Sequence, residues 1–138
     1  MNMRTVGVSP AGPAGACPDF TSALSRGDLH SAVACFARDG CLITPDATAI
    51  HGRDRIRPLL AQMVVRQTEI RVESASAIGA GDVILAQERW RVRAGRPEPS
   101  RVEQNLDATL VLGLIEGEWK LTIVAPWGWG RARLAGLC

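Results

Sequence analysis

"RVEQNLDATLVLGLIEGEWKLTIVAPW", residues 101–127, decides the fold. Apolar and polar residues alternate through 101–115 and again through 119–127, with "EGE" between them. A period of two marks a strand with one buried face, so the stretch predicts two antiparallel strands joined by a tight turn. The same alternation fills "TEIRVESASAIG" (68–79) and "DVILAQERWRVR" (82–93), and "AGRPEP" (94–99) reads as the turn that follows. The second half of the chain is therefore four consecutive antiparallel strands.

Upstream the period changes. Phe20, Ala23 and Leu24 keep helical spacing, as do Leu29, Val33 and Phe36. They predict a helix from Asp19 to about Ala37, broken where Gly27 stops one piece and Asp28 caps the next. "CLITPD" (41–46) predicts a strand running into a hairpin, with "ATAIHG" (47–52) as the return. Asp54 then opens a helix through about Arg66, with Ile56, Leu59, Leu60 and Met63 on one face and Pro58 in the early turns. Helices, a hairpin, a helix and four strands predict an α+β domain: a curved antiparallel sheet with helices on one face.

The totals agree with one globular domain. The chain has 138 residues, 46% hydrophobic and 22% charged, with a net charge of +2. The basic residues are scattered, which argues against a nucleic-acid partner. No run of about 18 apolar residues exists to cross a membrane. "MNMRTVGVSPAGPAGACP" is a poor secretory signal and reads as a flexible arm, residues 1–18, before a domain spanning 19–138. The four cysteines, Cys17, Cys35, Cys41 and Cys138, and two histidines show no metal-ligand spacing. The expectation is free thiols in the cytoplasm, no metal and no cofactor.

Three phrases carry a family likeness: "ALSRGDLHSAVACFARDGCLITPD" (23–46), "IHGRDRIRPLL" (50–60) and "GEWKLTIV" (117–124). Their order resembles the nuclear transport factor 2-like superfamily over roughly residues 19–127. It is most similar to the SnoaL-like polyketide cyclases, with ketosteroid isomerases and limonene-epoxide-hydrolase-like enzymes as relatives. The resemblance implies a cone-shaped curved sheet and helices enclosing an apolar pocket, and a homodimer formed by the open sheet face.

An ungapped comparison with the isomerases puts Asp107 where they hold a buried oxyanion-stabilising acid. That register turns Glu103 and Asn105 inward, together with Leu85, Gln87, Arg89 and Arg91, and leaves Trp90, Val102, Leu106 and Leu110 for the dimer face. The isomerase base position falls at Thr44, its oxyanion tyrosine position at Phe20, and the chain has no tyrosine. Arg89 matches the arginine of the epoxide hydrolases, but Arg91 and Val124 stand where they have acids.

An acid in an apolar cavity has its charged form disfavoured. It can then supply general acid–base help of about 10²–10⁴ in rate. The expectation is a cofactor-independent cyclase or isomerase acting on a hydrophobic, polyketide-like molecule of bacterial secondary metabolism. Asp107, Arg89 and Asp39 would be catalytic. Gln87, Arg91, Glu103, Asn105, Phe20, Thr44, Trp127 and Trp129 would bind substrate, the two tryptophans as an aromatic lip. Glu103 would stand about 13 Å from Asp107 along the strand, too far to share a proton. Epoxide opening and a non-catalytic binding or dimerisation module remain as alternatives. Acids on the outer face of the sheet would favour the module.

Overall fold

The computed structural model describes residues 15–95 and 102–126. Helices α1 (Pro18–Ser25) and α2 (Leu29–Ala34) lead into strand β1 (Phe36–Ile43), β2 (Ala49–His51) and helix α3 (Arg53–Val65). Strands β3 (Thr68–Ala80), β4 (Val83–Ala94), β5 (Val102–Ile115) and β6 (Glu118–Ala125) follow. They form one six-stranded sheet in the order β2-β1-β6-β5-β4-β3. The consecutive strands pair antiparallel as expected, but β1 lies parallel to β6, so the sheet is mixed.

Local chemistry accounts for the breaks. Pro18 starts α1, where a missing amide hydrogen costs nothing. Gly27, at φ 80°, ends it: its amide bonds Leu24 O and the Asp28 amide bonds Ala23 O. Asp28 then caps α2 by accepting from the Ser31 amide at 3.1 Å and the Ser31 hydroxyl at 2.7 Å. The second helical piece is shorter than its spacing predicts. Phe36 and Ala37 belong to β1, because Phe36 pairs with Leu121 and its spacing from Val33 keeps it buried in either conformation. Pro58 falls in the second turn of α3, on its exposed side.

The helices cover one face of the sheet. Its core includes Phe20, Leu24, Phe36, Ile56, Leu60, Trp90, Leu110, Leu121 and Val124, each at most 2% exposed. Burying each large side chain contributes roughly 1.5–3 kcal/mol before the entropy of ordering it. Register shifts in β1, β3 and β6 bend the strands around this core. Of the expected arm, residues 1–14 lie outside the described residues, while Ala16 and Cys17 pack against the core. No helix among the described residues is long and apolar enough to cross a membrane.

Candidate functional site

Every other residue is buried from Ile84 to Val92 of β4 and from Ala108 to Leu112 of β5, and the parity is the reverse of the expected one. Ile84, Ala86, Glu88, Trp90 and Val92 point inward, as do Ala108, Leu110 and Leu112. Gln87, Arg89, Arg91, Glu103, Asn105 and Asp107 therefore stand on the outer face, exposed. A strand has a period of two, so a shift of one residue moves a whole row to the other side. Here the apolar row, with Trp90 and Leu110, has the larger burial energy and takes the inner face. Trp90 and Leu110 are core, not dimer surface, and Leu106 is half-buried against them.

The outer row is a ladder of surface ion pairs. Arg89 meets Asp107 at 3.2 Å, with the two side chains 54% and 70% exposed. Arg91 lies 2.9 Å from Glu73 and 3.5 Å from Glu103, and Arg93 lies 3.9 Å from Glu69. The Thr109 hydroxyl donates to Gln87 Oε1 at 2.9 Å. Asp39 is exposed on β1, away from the cavity lining, and Phe20 is core, edge-on to Phe36 at 5.4 Å. Trp127 and Trp129 lie outside the described residues.

The cavity sits on the opposite, helix-covered face and measures about 330 Å³. Leu59 and Met63 of α3 form one wall, and Leu42, Ile70, Val92 and Leu106 of the sheet form another, with Trp90 between. Polar atoms come from Thr44, Gln62, Arg66, Thr68 and Gln104, and no acidic side chain is among the described lining residues. Among the described residues, Thr44 is the one expected binding residue in the lining. Its hydroxyl is bonded within its own turn, to Asp46 and the Thr48 amide. Hydrogen bonds to Asp46 itself, from the Thr44 hydroxyl first and then from the Thr48 hydroxyl and amide, hold its carboxyl below the ordinary range. Among the described residues no three His, Cys, Asp or Glu side chains gather as metal ligands.

One acid does point inward. Glu88 is 4% exposed, and Trp90 donates its indole N–H to Glu88 Oε1 at 2.7 Å. The Ala16 amide donates to the other oxygen. Gly15 allows this contact: its φ is +85°, and a Cβ there would stand 2.7 Å from Glu88 Oε2. Because the only indole donor is engaged by Glu88, Trp90 offers the cavity carbon surface alone. Sequence reasoning missed Glu88, Arg66 and Thr68. The available signal for Glu88 was an acid in phase with a row of apolar residues, two places from a tryptophan.

The SnoaL-like domain pattern matches residues 19–121, and the chain belongs to that family. Its fold is that of NTF2-like proteins. A candidate dehydratase of the NTF2-like family from Streptomyces avermitilis superposes with a TM-score of 0.69 at 18% identity, covering 78% of this chain and 86% of that one. A candidate ketosteroid isomerase from Shewanella frigidimarina gives 0.66 at 16% identity, covering 78% and 87%. A protein of unknown function with a cystatin-like fold from Nostoc punctiforme gives 0.66 at 21% identity, covering 78% and 80%. No curated protein matches the sequence.

Proposed function

We propose that this chain binds an apolar small molecule in the cavity between α3 and the sheet. One observation carries the reading: a space of about 330 Å³, walled by Leu59, Met63, Ile70, Trp90 and Leu106, with a few polar residues among its lining. That volume lies within the range of small-ligand sites, and a mostly apolar wall with a few convergent polar groups is their usual make-up. The acids on which cyclase or isomerase chemistry depended face solvent on the other side of the sheet. Chemistry on the bound molecule would therefore rest on donors, with Arg66, Thr68, Gln62 and Gln104 able to stabilise a developing oxyanion. The test is fluorescence titration with N-phenyl-1-naphthylamine, a neutral apolar probe, against the protein and a Leu106→Trp variant that fills the cavity. Saturable binding that weakens at least about tenfold in a normally folded variant supports the reading. Equal binding by both, or no binding by the unaltered protein, overturns it.

We further propose that two copies pair through the outer face of the sheet. Ile78, Leu85, Val111 and Ile123 are direct cross-strand neighbours and form one apolar row, bordered by the Gln87–Thr109 pair with the Arg89–Asp107 pair beyond it. Ile78, Leu85 and Ile123 are large apolar side chains left exposed. A twofold axis through such a row sets it against itself and each cation near the other copy's acids. Sedimentation should give a dimer for the unaltered chain and a monomer for Leu85→Glu. A monomer in both cases removes the proposal.

A further inference from the structure

Resting on the cavity as the ligand site, we infer that its ligand is an apolar molecule carrying one carboxylate, held where α3 turns into β3 by the Arg66 guanidinium and the Thr68 hydroxyl. Thr68 is 5% exposed and lines the cavity. Its hydroxyl donates to no group among the described residues, although a buried hydroxyl ordinarily has a partner. A ligand oxygen would supply one. Arg66 lines the same cavity two residues away. It is exposed at the end of α3 and, like Arg38, Arg55, Arg57 and Arg71, has no carboxylate partner among the described residues; of these arginines it is the one in the cavity lining.

The corner is fixed by its backbone. The Arg66 amide bonds Gln62 O at 3.1 Å, the Gln67 amide bonds Val64 O at 2.9 Å, and the Gly95 amide bonds Arg66 O at 3.0 Å. Gln67 holds a φ of 56°, a conformation retained only where its surroundings demand it. The C-terminal end of α3 carries the negative end of the helix dipole, which disfavours an anion. The full charge of Arg66 must therefore set the sign, and removing it should abolish most of the preference. Among the described lining residues no acid competes for the guanidinium. Elsewhere the wall is mostly carbon, including the ring of Trp90, with Thr44, Gln62 and Gln104 as its other polar residues. A space of 330 Å³ equals about eleven water volumes at ~30 Å³ each, which suits a ligand of roughly a dozen heavy atoms.

Decanoate and 1-decanol share one chain and differ at the head. Each would be titrated as a competitor of N-phenyl-1-naphthylamine against the unaltered protein, Arg66→Gln, Arg66→Lys and Thr68→Val. The expected result is decanoate binding at least about tenfold tighter than decanol, with the gap closing to about twofold in Arg66→Gln while decanol is unchanged. Arg66→Lys should keep part of the preference, and Thr68→Val should weaken decanoate several-fold. Equal binding of both competitors by the unaltered protein, with the naphthylamine still saturable, overturns the carboxylate assignment and leaves the cavity reading standing. A preference that survives in Arg66→Gln overturns the role of Arg66. Loss of naphthylamine binding itself would mark failure of the cavity reading.

Discussion

Glu88 and Asp107 are acids on adjacent strands with opposite surroundings, and exchanging each for a neutral residue should give very different results. Glu88→Ala strands two donors: the indole N–H of Trp90, a residue 1% exposed, and the half-buried Ala16 amide. A buried donor without an acceptor costs roughly 1–3 kcal/mol. Water can reach Ala16 in part, so its share lies at the low end and the sum is about 2–4 kcal/mol. For a domain of this size that is a fall in Tm of roughly 8–15 °C. Asp107→Asn breaks a pair whose side chains are 54% and 70% exposed, and screening leaves such pairs about 0.2–0.5 kcal/mol. Urea unfolding followed by circular dichroism would measure both, with unchanged slopes showing that the midpoints report stability. Glu88→Gln should fall between, because its carbonyl can still accept from Trp90 while its NH₂ meets the Ala16 amide donor to donor. A Glu88→Ala midpoint within experimental error of the unaltered protein would refute the assignment of Glu88 as the acceptor of both donors. So would an Asp107→Asn loss as large as that of Glu88→Ala.

Two further outcomes follow from ionisable groups elsewhere. Bonds from the Ser31 hydroxyl and then the Ser31 amide hold the folded Asp28 carboxyl below its ordinary value. Its stabilising effect is thus complete above the unfolded carboxylate value of about 3.9 and is lost as pH falls through the lower folded value. Asp28→Ala should melt earlier than the unaltered chain at neutral pH, with the difference shrinking in strong acid; a constant difference would contradict the cap. Among the thiols, hydrogen bonding to Cys17 draws Cys35 below the ordinary thiol value. Bonding to Cys35 and then burial push Cys17 up, and burial raises Cys41. Timed iodoacetamide labelling with peptide mapping should find Cys35 modified before Cys17 and Cys41, and Cys17 or Cys41 reacting first would reverse that order.

The elements were legible because each kept a clear period over many residues. "DVILAQERWRVR" and "RVEQNLDATLVLGLI" alternate without interruption and become β4 and β5. The end of the first helical region was not, because Phe36 sits at a spacing that serves a buried helix face and a buried strand equally. The parallel pairing of β1 with β6 was also hidden, since it joins opposite ends of the domain. The candidate site failed at one step. The expected faces of β4 and β5 came from an ungapped family comparison, whereas hydropathy favoured the other row: Trp90, Ala108, Leu110 and Leu112 together outweigh Val111 and Leu85. A single shift of parity carried Asp107, Glu103, Asn105, Arg89, Arg91 and Gln87 across the sheet at once. The cavity could not be read locally, because its wall comes from β1, α3, β3, β4 and β5.

The corrected parity also changes what chemistry the fold can support. An acid–base mechanism needs its acid within hydrogen-bond reach of the substrate. Asp107 is separated from the cavity by the sheet itself, and Glu88 is not among the described lining residues and is engaged by the Trp90 indole and the Ala16 amide. Among the described lining residues the cavity keeps one cation and a few neutral donors, an assembly that recognises or stabilises negative oxygen rather than exchanging protons with carbon. Such an assembly stabilises a charged ground state and a charged transition state alike. It accelerates a reaction only where charge grows on the oxygen that Arg66 and Thr68 face. A neutral carbonyl compound that gains negative charge as it reacts would be turned over, whereas a carboxylate, already charged, would be bound and released unchanged. The decanoate preference thus separates the two roles: strong binding of a preformed anion favours a carrier or sensor, and weak binding beside a reactive ketone favours an enzyme.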